Sequence, residues 1–155
     1  MSLLNIVLIE PEIPQNTGTI GRLCLALQSR LHLVKPLGFD ISDQQLKRAG
    51  LDYWKYLDLK VHENIDSFFH DIPPDASMAL FSKKAGHVYT DFQYKKGMYL
   101  IFGKETAGIP DWILNKYPTD TVRIPILDAR VRSLNLANAV SIGAYEALRQ
   151  VQPSC

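Results

Sequence analysis

Residues 5–34 read NIVLIEPEIPQNTGTIGRLCLALQSRLHLV. Asn5 to Ile9 is a short unbroken apolar run rich in Ile and Val, the pattern of a strand covered on both faces, as in a parallel sheet. Pro11 and Pro14 then interrupt regular structure, so Glu10 to Gly18 reads as a loop at the carboxyl end of that strand. Asn16 or Thr17 would cap the first helix. Ile20, Leu23, Cys24 and Leu27 recur at i, i+3, i+4 and i+7 and give it one apolar face. Arg22 falls off that stripe and points toward the loop or solvent. Leu31 to Val34 is a second strand, closed by Lys35-Pro36. Strand, helix, strand at this spacing is a βαβ unit.

The same alternation runs outward through the chain. Ser42 to Ala49 reads as a short helix capped by Ser42, with Lys47 and Arg48 as a basic spot. A strand is expected over Leu57–Val61, a helical turn over Asn64–His70 and a buried strand over Met78–Phe81. The basic loop Ser82–His87 follows, and then a strand over Gly97–Phe102. The loop Gly103–Pro110 contains two glycines but fits neither the Walker pattern nor G-x-G-x-x-G. After a short helix over Asp111–Lys116 comes a last strand, Thr121–Ile126. The loop Leu127–Ser133 holds Asp128, Arg130 and Arg132, and a closing helix spans Leu134–Val151 with Ser133 or Asn135 as its cap. The class is α/β with a largely parallel sheet flanked by helices, in one domain over 1–155.

Composition narrows the function classes. The chain is 46% hydrophobic and 21% charged with a net charge of +1, so any nucleic-acid contact must come from a local patch rather than a broad basic field. Cys24 and Cys155 cannot build a disulfide framework; Cys24 reads as a buried thiol and Cys155 as an exposed terminal one, which suits a reducing compartment. His32, His62, His70 and His87 lack ligand spacing, so no metal site is expected. No signal peptide and no membrane-length apolar run is visible, and a soluble cytoplasmic protein is expected.

Three loops that follow strands carry the unusual residues: Glu10–Gly18, Gly103–Pro110 and Leu127–Ser133. In a parallel sheet such loops share one edge, which is where open α/β sheets bind ligands. The residues alone lead to a ligand site at the strand ends and no further.

Taken together, the segments from Asn5 to Arg22, from Phe102 to Pro110, and Arg123–Ile126 followed by Arg132–Val140 resemble the three motifs of the SPOUT superfamily of RNA methyltransferases. The closer similarity is to the small tRNA (cytidine/uridine) 2′-O-methyltransferases that act on the anticodon wobble nucleotide. The segment from Arg48 to Tyr53 matches as well, so the likeness covers nearly the whole chain. It implies a C-terminal trefoil knot, S-adenosylmethionine as cofactor with S-adenosylhomocysteine as product, a tRNA substrate and a homodimer with its active site near the subunit boundary. By position it implies a cofactor pocket with Leu80, Gly103, Ile124 and Ser133, with Glu105 and Leu134 as neighbours, and assigns catalysis to Arg22 with Asn16 as a positioning residue. Arg132 would meet RNA phosphate or the cofactor carboxylate. Tyr145 would face the partner subunit or RNA, or fill the core. Lys83, Lys84 and Arg48 are candidate phosphate contacts. Two departures lie at the pocket: Lys104 where the family pattern has proline, and a third loop one residue longer. The competing readings are methylation of another RNA and a non-catalytic dimeric RNA-binding module.

Overall fold

The computed structural model describes residues 2–42, 44, 46, 48 and 51–154, without the side chain of Leu51. Its strands are β1 (Asn5–Ile9), β2 (Arg30–Val34), β3 (Leu59–His62), β4 (Met78–Phe81), β5 (His87–Val88), β6 (Tyr99–Phe102) and β7 (Thr121–Arg123). The helices are α1 (Pro14–Ala26), α2 (Ile65–Asp71), α3 (Asp111–Lys116) and α4 (Leu136–Val151), with a 3-10 segment at Leu51–Tyr56. The seven strands form one sheet in the order β3-β2-β1-β6-β4-β7-β5, and every pairing is parallel. The βαβ reading of the first stretch therefore stands, and all the strand-following loops open on one edge.

Alternation within the strands divides the core. Ile6, Leu8, Ala79, Phe81, Leu100 and Phe102 face α1 and α4. Val7, Ile9, Met78, Leu80 and Ile101 face the other side, with Phe68 of α2 and Ile113 of α3. Both faces are covered, which is why β1 and β4 read as continuous apolar runs rather than alternating ones. Cys24 is a fully buried thiol in the first layer.

Several expected boundaries shift. α1 starts at Pro14, not at Asn16 or Thr17; its N-cap is Ile13 and no side chain of its own caps it. The third strand begins at Leu59 rather than Leu57, and the sixth at Tyr99 rather than Gly97. The last strand stops at Arg123, one residue past Val122, the partner of Phe81 at the end of β4; Pro125 just beyond has no N–H to continue a ladder. The two-residue strand β5 lies at the end of the loop read as merely basic. Of the helix expected over Ser42–Ala49, Gln44, Leu46 and Arg48 are helical, and Asp43, Gln45, Lys47 and Ala49 lie outside the described residues, as does Cys155. Ser42 itself sits in a turn and donates its hydroxyl and its N–H to Asp40.

One buried polar array has no signature in the sequence. Asn5 Nδ2 donates to the Gly97 carbonyl at 2.9 Å, which turns its Oδ1 toward His32 Nε2 at 3.0 Å. His32 must then carry its proton on Nε2 and accept at Nδ1, from His62 Nε2 at 3.0 Å. That leaves His62 Nδ1 bare, 3.5 Å from Asp71. Burial, with the neighbouring His62, pushes the His32 pKa down to about 3, and burial lowers His62 as well. The unfolded chain binds these protons near pH 6.5, so it holds more of them than the native state below that value. Stability is therefore complete above about pH 6.5 and is lost progressively as pH falls toward about 3. Thermal melts across that range should show a steep fall for the native chain and a flatter profile for a His32→Leu/His62→Leu variant, whatever its absolute Tm.

Candidate active site

The strand-following loops meet around a cavity of about 550 Å³. Its walls come from three of them and from the start of α4. Ser82, Lys83 and Lys84 follow β4, residues 103–109 follow β6, Ile124, Ile126 and Arg132–Leu134 follow β7, and Leu136 and Ala139 open α4. The volume lies in the range of small-molecule sites, and the wall is apolar with a few converging polar groups. Lys83, Lys84, Lys104 and Arg132 set against Glu105 give it an excess of positive charge.

The loops are tied together by a polar network centred on Asn16, which is buried at 8% exposure. Asn16 donates through Nδ2 to Glu105 Oε2 at 3.2 Å, and its Oδ1 accepts from Asn135 Nδ2 at 3.0 Å. One side chain in the first turn of α1 thus joins the loops after β6 and β7. Glu105 also accepts from the backbone N–H groups of Glu12 and Ile13 at 2.8 and 2.9 Å. A carboxylate from another loop therefore sits against the two residues that precede α1, near the positive end of that helix. Glu12 returns the contact, accepting from the N–H and hydroxyl of Thr106 at 3.0 and 2.7 Å, and these bonds hold its pKa below the usual range. At α4, Asn135 rather than Ser133 is the cap, accepting from Asn138 N–H.

Replacing Glu105 by alanine leaves two backbone donors and one amide donor without their acceptor. A loss of roughly 1–3 kcal/mol is expected, readable as a lowered Tm together with weaker ligand binding.

Gly103 opens the second loop and is buried. That loop folds back on itself: Gly108 N–H donates to the Lys104 carbonyl at 2.9 Å, with Gly108 at φ +69°. A Cβ on Gly103 would run into the backbone of Gly108 and Ile109. Lys104, the departure from the family pattern, lies 3.7 Å from Glu10 and makes a further tie to the first loop. On the opposite rim Lys83 Nζ donates to the Arg132 carbonyl at 3.1 Å, and Arg123 donates to the Ala85 and Gly86 carbonyls, pinning the basic loop. Lys84 pairs with Asp111 at 2.8 Å, and Arg130 pairs with Asp128 within its own loop. Among the described residues no carboxylate lies in ion-pair range of Arg132.

Of the expected site residues, Gly103, Ile124, Ser133, Arg132 and Lys83 line the cavity. The Leu80 side chain does not. It is fully buried in the layer facing α2 and α3, because alternation along β4 turns Phe81, not Leu80, to the cavity side. Leu80 therefore cannot lend its side chain to flank a ring in the pocket. Asn16 holds the loops from behind. Arg22 is exposed on α1, outside the cavity wall, with its guanidinium over the Tyr53 ring. Tyr145 is 51% exposed, so its core reading is wrong. The pairing of Glu12 with Thr106 joins two residues of separate motifs and has no signature in the spacing of either.

The pattern of the SpoU rRNA methylase family matches residues 3–145. The chain belongs to that family. Among SpoU methylases it is 45% identical over 154 residues to the tRNA (cytidine(34)-2′-O)-methyltransferase of Yersinia pestis, covering 96% of this chain and 94% of that one. A solved structure described as giving insights into the 2-OH methylation of C/U34 on tRNA superposes with a TM-score of 0.91 at 45% identity, over 95% of both chains. The AdoMet-bound rRNA methyltransferase of Sinorhizobium meliloti superposes at 0.85 with 26% identity, over 94% of this chain and 56% of that one. This SpoU methylase thus matches its relative over most of both chains, and the fold neighbours support a mostly parallel sheet of the same kind.

Proposed function

We propose that this protein methylates the ribose 2′-OH of the wobble nucleotide, cytidine or uridine 34, of tRNA, with S-adenosylmethionine as donor. One observation carries the reading. The three motif segments are fastened to one another by Asn16, Glu105 and Asn135, and the second and third of them line a cavity of ligand size, in a chain that parallels a C34-directed relative over nearly its whole length.

The residues present fit the cofactor. Ile124, Ile126, Leu134 and Leu136 offer an apolar wall for a flat ring, and backbone groups around Gly103 would read its polar edge. Arg132 and Ser133 at the rim suit a carboxylate. The cofactor, when bound, supplies an electrophilic methyl group. The remaining work belongs to the chain: aligning the hydroxyl, and stabilising the negative charge that develops as it attacks. An arginine is too weak an acid to serve as a base. Arg22 accordingly holds the ribose-phosphate and balances developing charge, while a phosphate or water takes the proton. Asn16 positions the loop that carries α1.

Lys83, Arg132 and Tyr145 are proposed RNA contacts. The exposed apolar side chains of Ile142 on α4 and of Leu127, at 98% exposure, and Val131 in the third loop support a homodimer. A trefoil knot in the C-terminal part rests on family membership. No described helix is long and apolar enough to cross a membrane, and a cytoplasmic site of action follows from a tRNA substrate.

Incubation of the purified protein with labelled cofactor and a panel of RNA transcripts tests the reading. Label in tRNAs with cytidine or uridine at position 34 supports it. Label confined to another RNA, or binding of RNA without transfer, overturns it.

A further inference from the structure

We infer that Tyr53 is a positioning residue for methyl transfer, whose ring holds the Arg22 guanidinium ready for the RNA. The inference rests on the reading of Arg22 given above and adds the element that orients it.

Arg22 is exposed, and among the described residues no carboxylate lies in ion-pair range of it. Its guanidinium carbon stands 5.2 Å from the centroid of the Tyr53 ring, within cation–π range. A long arginine side chain left to solvent spreads over many rotamers, and ordering it when substrate arrives costs free energy. A ring beneath the guanidinium supplies that order beforehand. It does so through the π-face, so none of the five N–H donors is consumed and the positive charge is not neutralised. A carboxylate partner would do both, leaving less for a phosphate.

The ring is itself held in place. Trp54, the next residue, packs directly on α1 at Gly21, the residue before Arg22. A Cβ on Gly21 would stand 2.6 Å from Trp54 Cζ3 and 3.1 Å from Leu57 Cδ2. The 3-10 segment turns back there, with Leu57 N–H donating to the Trp54 carbonyl at 3.1 Å. The Gly21-Arg22 pair on α1 thus faces the Tyr53-Trp54 pair on the segment: glycine admits the indole, and that docking fixes the tyrosine beside the arginine. Tyr53 remains 43% exposed, so its own burial contributes little to the core.

The test is single-turnover methylation of tRNA by Tyr53→Ala, Tyr53→Leu, Tyr53→Phe and Arg22→Ala, with calorimetric binding of S-adenosylhomocysteine and Tm measured on each. Tyr53→Ala and Tyr53→Leu should slow transfer by roughly three- to thirtyfold, with product binding and Tm near those of the native protein. Tyr53→Phe, which keeps the ring and loses the hydroxyl, should restore the rate. Adding Tyr53→Leu to Arg22→Ala should cause no further loss. A native rate in Tyr53→Leu beside a collapsed Arg22→Ala overturns this inference alone, as does a Phe variant as slow as Leu. A native rate in Arg22→Ala overturns the role of Arg22 and this inference with it.

Discussion

Replacing Arg22 by alanine is expected to lower the rate of methyl transfer by roughly a hundredfold or more, while S-adenosylhomocysteine binds as it does to the native protein. The two readouts separate because Arg22 sits on the exposed side of α1, outside the cavity wall. It can act on the RNA without touching the proposed cofactor pocket, which is lined by residues 103–109 and by Ile124, Ile126, Arg132, Ser133 and Leu134. Tm should change little, because an exposed side chain whose main contact is one ring contributes little to stability. Lysine at the same position should recover only part of the rate, since a point charge lacks the planar fork that grips a phosphate in a fixed orientation. Loss of cofactor binding in Arg22→Ala, measured by calorimetry, would sink this role and make Arg22 a structural support of the pocket.

The second large effect is expected at Gly103, and its direction is the reverse. Gly103→Ala should abolish measurable S-adenosylhomocysteine binding, and activity with it. A single added methyl is enough, because the obstruction lies at the Cβ position and the atoms it meets are the backbone of Gly108 and Ile109 rather than a flexible side chain. To make room, the turn closed by the Gly108–Lys104 hydrogen bond must open, and the wall it forms moves away from Ile124 and Ser133. Since Glu105 and Thr106 in the same turn hold the start of α1, the disturbance should also reach Asn16. Near-native binding by Gly103→Ala would mean that the turn does not form the cofactor wall.

Much of this was legible in the sequence because it is local. The apolar runs at 5–9 and 78–81 signal strands covered on both faces, and the i, i+3, i+4 pattern from Ile20 to Leu27 gives the buried side of α1. The convergence of three loops follows from parallel topology alone. The gaps arise where partners are distant in sequence. Asn16 and Thr17 are good caps by residue type, yet α1 starts at Pro14, and the donors just before it, at Glu12 and Ile13, are met by Glu105, about ninety residues away. The His32–His62 pair forms because parallel pairing sets Val34 beside His62 and His32 beside Lys60, a diagonal that spacing along the chain cannot reveal. Leu80 looked like a pocket residue by position, but the alternation of β4 sends its side chain to the opposite layer. The 3-10 segment carrying Tyr53 has no periodic signature, so its docking against Gly21 and Arg22 emerges only in three dimensions.

The measurement that bears most directly on the proposed activity uses two anticodon stem-loops of identical sequence, one with an ordinary ribose at position 34 and one with a 2′-deoxyribose there. Each is incubated with the protein and labelled S-adenosylmethionine, and the products are analysed by nucleoside mass spectrometry. One methyl group on the ribose of nucleotide 34 in the first, and none in the second, is the expected result. Equal methylation of both, or a methyl group on a base, would contradict a 2′-O-methyltransferase of the wobble nucleotide.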